Sequence, residues 1–391
     1  MKRLTYILCM AVLLTAAQAC KQSDVVSLVN DGVAPGSVSN ASVANLAGAA
    51  KITYTLPADK DVLYVKAVYT SKQGDVRETK VSYYNNNLTV LGFGDTSEYE
   101  VKLYAVDRGG NESSPLSVMV HPLKAPFLLV REGIAVVPDF GGINVTFGNT
   151  TEDNITIVIL ANDSLGNFVP INTNYTNSKA GSFSTRGLPS VDTKFGIYIR
   201  DRWGNISDTL ITTLKPMFEV KLDRTKMVGI TLPTDSPLGY GGAISNLFNG
   251  IFNQGDYDLY HTGDASVMPQ WLSYDMGLSV KLSRMIWYMR PNQFFNTHNP
   301  RKVEIWGTNN PSLDGSFANW TLLATHEQIK PSGLPAGELS NADIEAGKAG
   351  VTITFPLDGP KVRFIRFKTL RNWSDGTYVN FTEIMMWGTP E

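Results

Sequence analysis

Apolar and polar residues alternate along much of the chain. In Lys51-Ile-Thr-Tyr-Thr55, Val62–Thr70, Gly142-Ile-Asn-Val-Thr-Phe147 and Ile155–Ala161 every second side chain is apolar. That two-residue period predicts strands with one buried face and one solvated face. A turn sequence recurs among them. Tyr104-Ala-Val-Asp107-Arg108-Gly-Gly110-Asn111-Glu-Ser113 returns 94 positions later as Tyr198-Ile-Arg-Asp201-Arg202-Trp-Gly204-Asn205-Ile-Ser207. In each copy a strand (Tyr99–Val106, Phe195–Arg200) enters a turn where the aspartate bonds the backbone and glycine supplies a positive φ. The spacing suits one small sandwich per repeat, so residues 35–122 and 123–216 are read as tandem sandwiches. The repeated Asp107, Arg108, Asp201 and Arg202 are read as turn clamps without a ligand.

From about residue 217 the character changes, and six of the seven tryptophans lie beyond this point. Trp271-x-x-x-Asp275 reads as a strand ending at Gly277. Val362–Phe367 alternates apolar residues with arginine, placing Arg363 and Arg366 on the face opposite the core. Trp271, Trp306 and Trp387, flanked by β-branched residues or methionine, are expected in the core. Such strands build a two-sheet sandwich over residues 217–391.

The length of 391 residues agrees with two to four domains. Lys and Arg number 34 against 36 Asp and Glu, a net charge of −2; no basic field is available for nucleic acid. With 43% hydrophobic and 18% charged residues the chain is neither disordered nor a coiled coil. The abundant uncharged polar residues suit an all-β extracellular protein. The four histidines are isolated, and no zinc pattern, Gly-x-Ser-x-Gly or phosphate loop occurs. An enzyme is not expected.

Lys2 and Arg3 precede an apolar run, Tyr6–Ala17, too short to span a bilayer. Residues 1–19 are read as an export signal. Ala17-Gln18-Ala19 fits a signal peptidase site, and with Cys20 it also resembles a bacterial lipobox; both break the same bond. Lipidation of Cys20 is the reading adopted, although Gln18 departs from the usual pattern. Residues 20–34 form the tether. Cys9 leaves with the signal, so no intramolecular disulfide can form and the cores alone must stabilise the fold.

Two loops of the last segment combine flat aromatics with multidentate polar groups, the mixture a sugar requires. One is Arg290-Pro-Asn-Gln-Phe294-Phe295-Asn296-Thr-His298-Asn299; the other is Asn372-Trp373-Ser-Asp375-Gly-Thr-Tyr378. Arg290, Phe294, Asn296, His298, Asn299, Trp373, Asp375 and Tyr378 are the candidate ligand-binding residues. Trp373 is placed on an exposed loop as the stacking platform.

Residues 35–216 resemble fibronectin type III and immunoglobulin-like spacer modules. The ordered landmarks Asn246-Leu-Phe-Asn249-Gly250, Trp271–Gly277, Met285–Arg290, Pro300–Gly307, Asn319-Trp320, Val362–Phe367 and Phe381–Gly388 resemble the discoidin-like, coagulation-factor C-type domain, a galactose-binding-like β-jelly-roll. Together they imply an all-β protein similar to accessory surface lipoproteins of Gram-negative glycan-utilisation systems. The resemblance implies non-catalytic polysaccharide or oligosaccharide binding at the outer membrane, beside neighbouring glycan-uptake proteins, with membrane contact through the lipid alone. Adhesion to protein or matrix through the same loops is the second reading. Insertion of apolar loops into lipid is a third, against which the low basic charge argues. No cofactor is required. The resemblance also implies a structural calcium between an early Asp-Gly loop and a late glutamate; Asn249 and Glu383 occupy those positions, and the asparagine weakens the site.

Overall fold

A computed structural model describes residues 32–254, 258–264 and 267–390. The export signal, Cys20 and most of the tether lie outside the described residues. The described residues are all-β, with two short α-helices among them.

The first repeat contains β1 (Ser39–Leu46), β2 (Ala49–Thr55), β3 (Val62–Thr70), β4 (Val76–Ser82), β5 (Asn87–Leu91), β6 (Tyr99–Asp107) and β7 (Leu116–Val120). They form one sheet in the order β1-β2-β5 and another in the order β4-β3-β6-β7. Ile52, Tyr54, Leu88 and Val90 of the first sheet share a core with Val65, Ala67, Val101 and Leu103 of the second, as strict alternation requires. After helix α1 (Pro126–Glu132) come β8 (Ala135–Asp139), β9 (Gly142–Gly148), β10 (Ile155–Asn162), β11 (Phe168–Thr176), β12 (Ala180–Thr185), β13 (Thr193–Asp201) and β14 (Leu210–Leu214). Their orders, β12-β9-β8 and β11-β10-β13-β14, repeat the first set strand for strand.

The recurring turn is a clamp in both copies. Asn111 N and Nδ2 each donate to the Asp107 carboxylate at 2.9 Å; Asn205 does the same to Asp201 at 2.9 and 2.8 Å. Ser113 and Ser207 accept from the strand amides of Ala105 and Ile199. Both aspartate carboxylates are thus used within the turn itself.

The chain divides into two compact units, the second comprising residues 136–145, 182–194 and 213–391. Within that unit the buried Glu219 carboxylate accepts from Arg186, Ser283 and Arg284. Its remaining strands are β15 (Val220–Lys221), β16 (Val228–Ile230), β17 (Tyr260–His261), β18 (Gln270–Tyr288), β19 (Pro300–Thr308), β20 (Thr321–Glu327), β21 (Val351–Thr354), β22 (Lys361–Asn372), β23 (Asn380–Phe381) and β24 (Glu383–Thr389), with helix α2 (Asn341–Ala349) before β21.

The 19-residue β18 organises this domain. Its first part pairs with β16 and β22, and its last part with β21 and β24. Irregular pairing between Asp275 and Val280, and again between Leu282 and Arg284, lets one strand pass from one layer to the other. The side-chain parity changes on the way. Leu272, Tyr274, Met276, Val280 and Leu282 face the core, then Met285, Trp287 and Met289 do so.

That switch corrects the tryptophan assignment. Trp271, Trp306 and Trp387 are only half-buried and stand outside the main core, whereas Trp287 is 0% exposed at its centre. Arg363 and Arg366 also stand outside that core, but their environments differ. Arg363 is solvent-accessible and pairs with Asp275. Arg366 is fully buried among Asp235, Ser273, Phe317 and Trp320, because residues 315–320 cover that face.

Candidate functional site

Three backbone joints bring distant segments together at one end of the C-terminal domain. Gly239 N donates to the His261 carbonyl at 3.1 Å, Thr262 N to that of Val379 at 3.0 Å, and Asn380 N to that of His298 at 3.1 Å. The result is a cluster of rings. Tyr240 and His261 lie 4.8 Å apart, His261 and His298 5.7 Å, His298 and Tyr378 5.1 Å, and Tyr240 and Tyr378 5.8 Å between centroids. Tyr240 holds a positive φ of 52° in Leu238-Gly-Tyr-Gly-Gly242, a conformation disfavoured for a bulky side chain and retained where surrounding structure enforces it.

The cluster's hydrogen bonding is directional. Tyr240 Oη and Tyr378 Oη both donate to Asp264 Oδ1, at 2.6 and 2.8 Å. These bonds hold the Asp264 carboxyl below its ordinary range, with the Tyr240 bond contributing most. His261 Nδ1 lies 2.7 Å from the Thr262 carbonyl. Since a carbonyl only accepts, Nδ1 carries the proton and Nε2 is an acceptor. Burial pushes both imidazoles down, and Arg290 adds to this at each ring, so both are neutral at pH 7. Asn380, the cross-strand partner of His261, is 0% exposed, and neither side-chain amide atom has a partner. Directly opposed residues project to one face, so this buried amide shares its face of the sheet with His261. Carboxylate and imidazole groups thus lie beside aromatic faces, with Arg290 near enough to act on both imidazoles, a mixture that suits a polyhydroxylated ligand with an apolar C–H face.

Of the eight sequence-predicted residues, Arg290, His298 and Tyr378 belong to this cluster. Two assignments are corrected. Phe294 is 6% exposed and packs on α2 at Gly347, where a Cβ would come within 2.5 Å of its ring. Asn299 is 0% exposed and stitches its own loop, donating to the Gln293 carbonyl and accepting from Arg290 N. Asn296 caps Thr297 N and lies against Gly337. Asp375 is engaged by Arg371 in an exposed ion pair. Trp373 is half-buried against the core, not a freely exposed platform.

Tyr240, His261, Asp264 and Asn380 were missed. The one local signal was the tyrosine set among glycines, a backbone shaped to present a side chain.

The implied calcium does not fit these residues. Glu383 Oε2 accepts from Gly250 N at 3.0 Å, Asn249 Oδ1 from Ile251 N at 2.7 Å, and the Phe248 carbonyl from Arg224 Nη1 at 3.0 Å. Only Glu383 Oε1 is buried and unpartnered, whereas calcium takes six to eight oxygens. The carboxyl itself is pushed up to about 7 by burial, and the cations that oppose this are Arg224 and Lys221.

Three domain families, each described as a domain of unknown function, match the chain: DUF4959 over residues 35–122, DUF5126 over 123–225 and DUF5000 over 248–388. No curated protein matches. Among solved structures, the chain is similar to the family 32 CBM from C. perfringens NanJ in complex with galactose, at 19% identity and TM-score 0.31, over 43% of this chain and 98% of that one. It is similar also to CBM32-3 from a family 31 glycoside hydrolase from Clostridium perfringens, at 18% identity and TM-score 0.33, over 43% and 95%. A third similarity, to the SusE-like protein BT2857, has a TM-score of 0.46 and covers 68% of this chain and 100% of that one. At 32% identity over the whole of that relative, the chain belongs to the SusE-like family.

Proposed function

We propose that this protein captures carbohydrate without cleaving it, through the Tyr240, His261, Asp264, Arg290, His298 and Tyr378 cluster. The observation that carries this reading is the pair of tyrosine hydroxyls held on Asp264 beside the His261 and His298 rings. It combines ring faces with directional acceptors in one place. The cluster contains a single carboxylate, whereas glycoside hydrolysis ordinarily uses two. Glycan-array binding by the full chain tests the reading. Tyr378→Ala removes a ring face and one Asp264 donor, and should weaken the bound glycan by at least about tenfold, a loss of about 1.4 kcal/mol. An unchanged Kd for this variant in calorimetric titration would sink the assignment, and time-dependent release of oligosaccharides would replace capture with catalysis.

The export signal and the lipobox-like Ala17-Gln18-Ala19-Cys20 support a location at the bacterial surface, with the protein held by a lipid on Cys20. Among the described residues no helix is long and apolar enough to cross a membrane. Cys20→Ala should leave export intact and move the protein from the membrane fraction to the soluble fraction. Retention of the variant with membranes would refute lipid anchoring.

A further inference from the structure

Trp373 stands apart from the ring cluster, in a cleft none of those six residues lines. The cleft has a volume of about 550 Å³, and its walls include Arg301, Gln328, Ile329, Leu334 and Trp373. That size falls within the roughly 300–1,000 Å³ of ligand sites. Its base is rigid: the Trp373 ring meets Phe295 edge-on at 5.4 Å, and its Nε1 donates to Gln328 Oε1 at 3.1 Å. The Arg301 guanidinium lies 4.8 Å from the indole centroid. The lip is equally fixed. Lys330, only 5% exposed, donates from Nζ to the carbonyls of Pro335 and Glu338, and Ser332 N donates to Asp343 Oδ1. Ile329, 85% exposed, and Leu334, 41% exposed, present apolar surface from this lip. An apolar pair of this kind, beside an indole, a guanidinium and an amide, again matches a sugar's alternation of C–H faces and hydroxyls.

One loop connects the cleft to the ring cluster. Trp373 and Tyr378 are five residues apart, so their backbones are separated by no more than about 18 Å. The buried Asn372 fixes the loop between them, donating from Nδ2 to the Gly376 and Tyr378 carbonyls and accepting at Oδ1 from Ser374 N and Gly376 N. We propose that the Trp373 cleft is a second subsite for the same glycan, so that the protein holds a stretch of several sugar residues and not a single sugar. This inference rests on the carbohydrate reading of the ring cluster.

The test is calorimetric titration of the full chain with galacto-, gluco-, manno- and xylo-oligosaccharides, each as a ladder from the monosaccharide to the hexasaccharide. In the ladder that binds, the Kd should fall by about tenfold or more as the chain lengthens, the scale of one added stacking platform. Trp373→Ala should abolish that gain and leave the monosaccharide Kd unchanged. Leu334→Arg, at an exposed lip position, should obstruct the cleft with the same result even if the tryptophan variant fails to fold. Tyr378→Ala should weaken every length. A Kd independent of length, or a wild-type ladder in the Leu334→Arg variant, would overturn the second subsite alone. Binding to none of the ladders would overturn the carbohydrate reading and the subsite together.

Discussion

Arg366→Ala should destabilise the C-terminal domain by about 3–5 kcal/mol, the cost of breaking a buried ion pair from one side. Arg366 Nε donates to Ser273 Oγ and Nη1 to the Gly315 carbonyl, both at 3.0 Å, while Nη2 lies 3.4 Å from Asp235 Oδ1. Its guanidinium also faces Phe317 at 4.5 Å and Trp320 at 4.6 Å. Truncation would leave the Gly315 carbonyl without this donor and the Asp235 side chain, 4% exposed, without its cation. Burial already pushes the Asp235 carboxyl up despite Arg366, so loss of the arginine removes the opposing influence. Arg363→Ala is the control. It also removes an arginine–carboxylate pair from β22, but a solvent-accessible one, and should have little effect. Urea unfolding followed by tryptophan fluorescence reports this domain, because six of the seven tryptophans lie in it. Equal effects from the two variants would show that the cover formed by residues 315–320 does not isolate Arg366 from water.

Trp287→Ala should cost about 3–5 kcal/mol as well, by emptying the middle of the C-terminal core. The indole is 0% exposed and meets Phe367 and Phe381 edge-on at 6.0 and 5.7 Å. Trp271→Ala should cost less, since that ring is half-buried on the other side of the sheet and packs on Phe317. The sequence alone places Trp271 in the core. Thermal melts of the two variants decide the matter: a larger drop for Trp271→Ala would mean that β18 does not change parity where the structure places the change.

The two sandwich repeats were legible because their signals are short-ranged. Asp107 and Asn111, like Asp201 and Asn205, are four residues apart and complete their clamps within the turn. Alternation in β2, β3 and β9 likewise requires only a buried face, whereas β10 departs from the half-buried expectation and is buried on both faces from Ile155 to Ile159. The last domain was legible as strands for the same reason. Its candidate site was legible only where loop composition advertised it, at Arg290, His298 and Tyr378.

By itself, the sequence determined the all-β class, the repeated turns and the candidate aromatic loops, since each follows from residues within a few positions of one another. Tertiary structure alone decided which side chains those loops expose. Phe294 and Asn299 turn inward because α2 and the loop's own carbonyls offer them better partners than water does. Asp264 joins Tyr240 and Tyr378, residues 138 positions apart, because separate backbone joints draw their segments together. Trp287 replaces Trp271 in the core because the pairing shift between Leu282 and Arg284 adds a residue to the strand. One such insertion reverses the face of every residue after it, a change that depends on the neighbouring strand and has no signature in the local pattern.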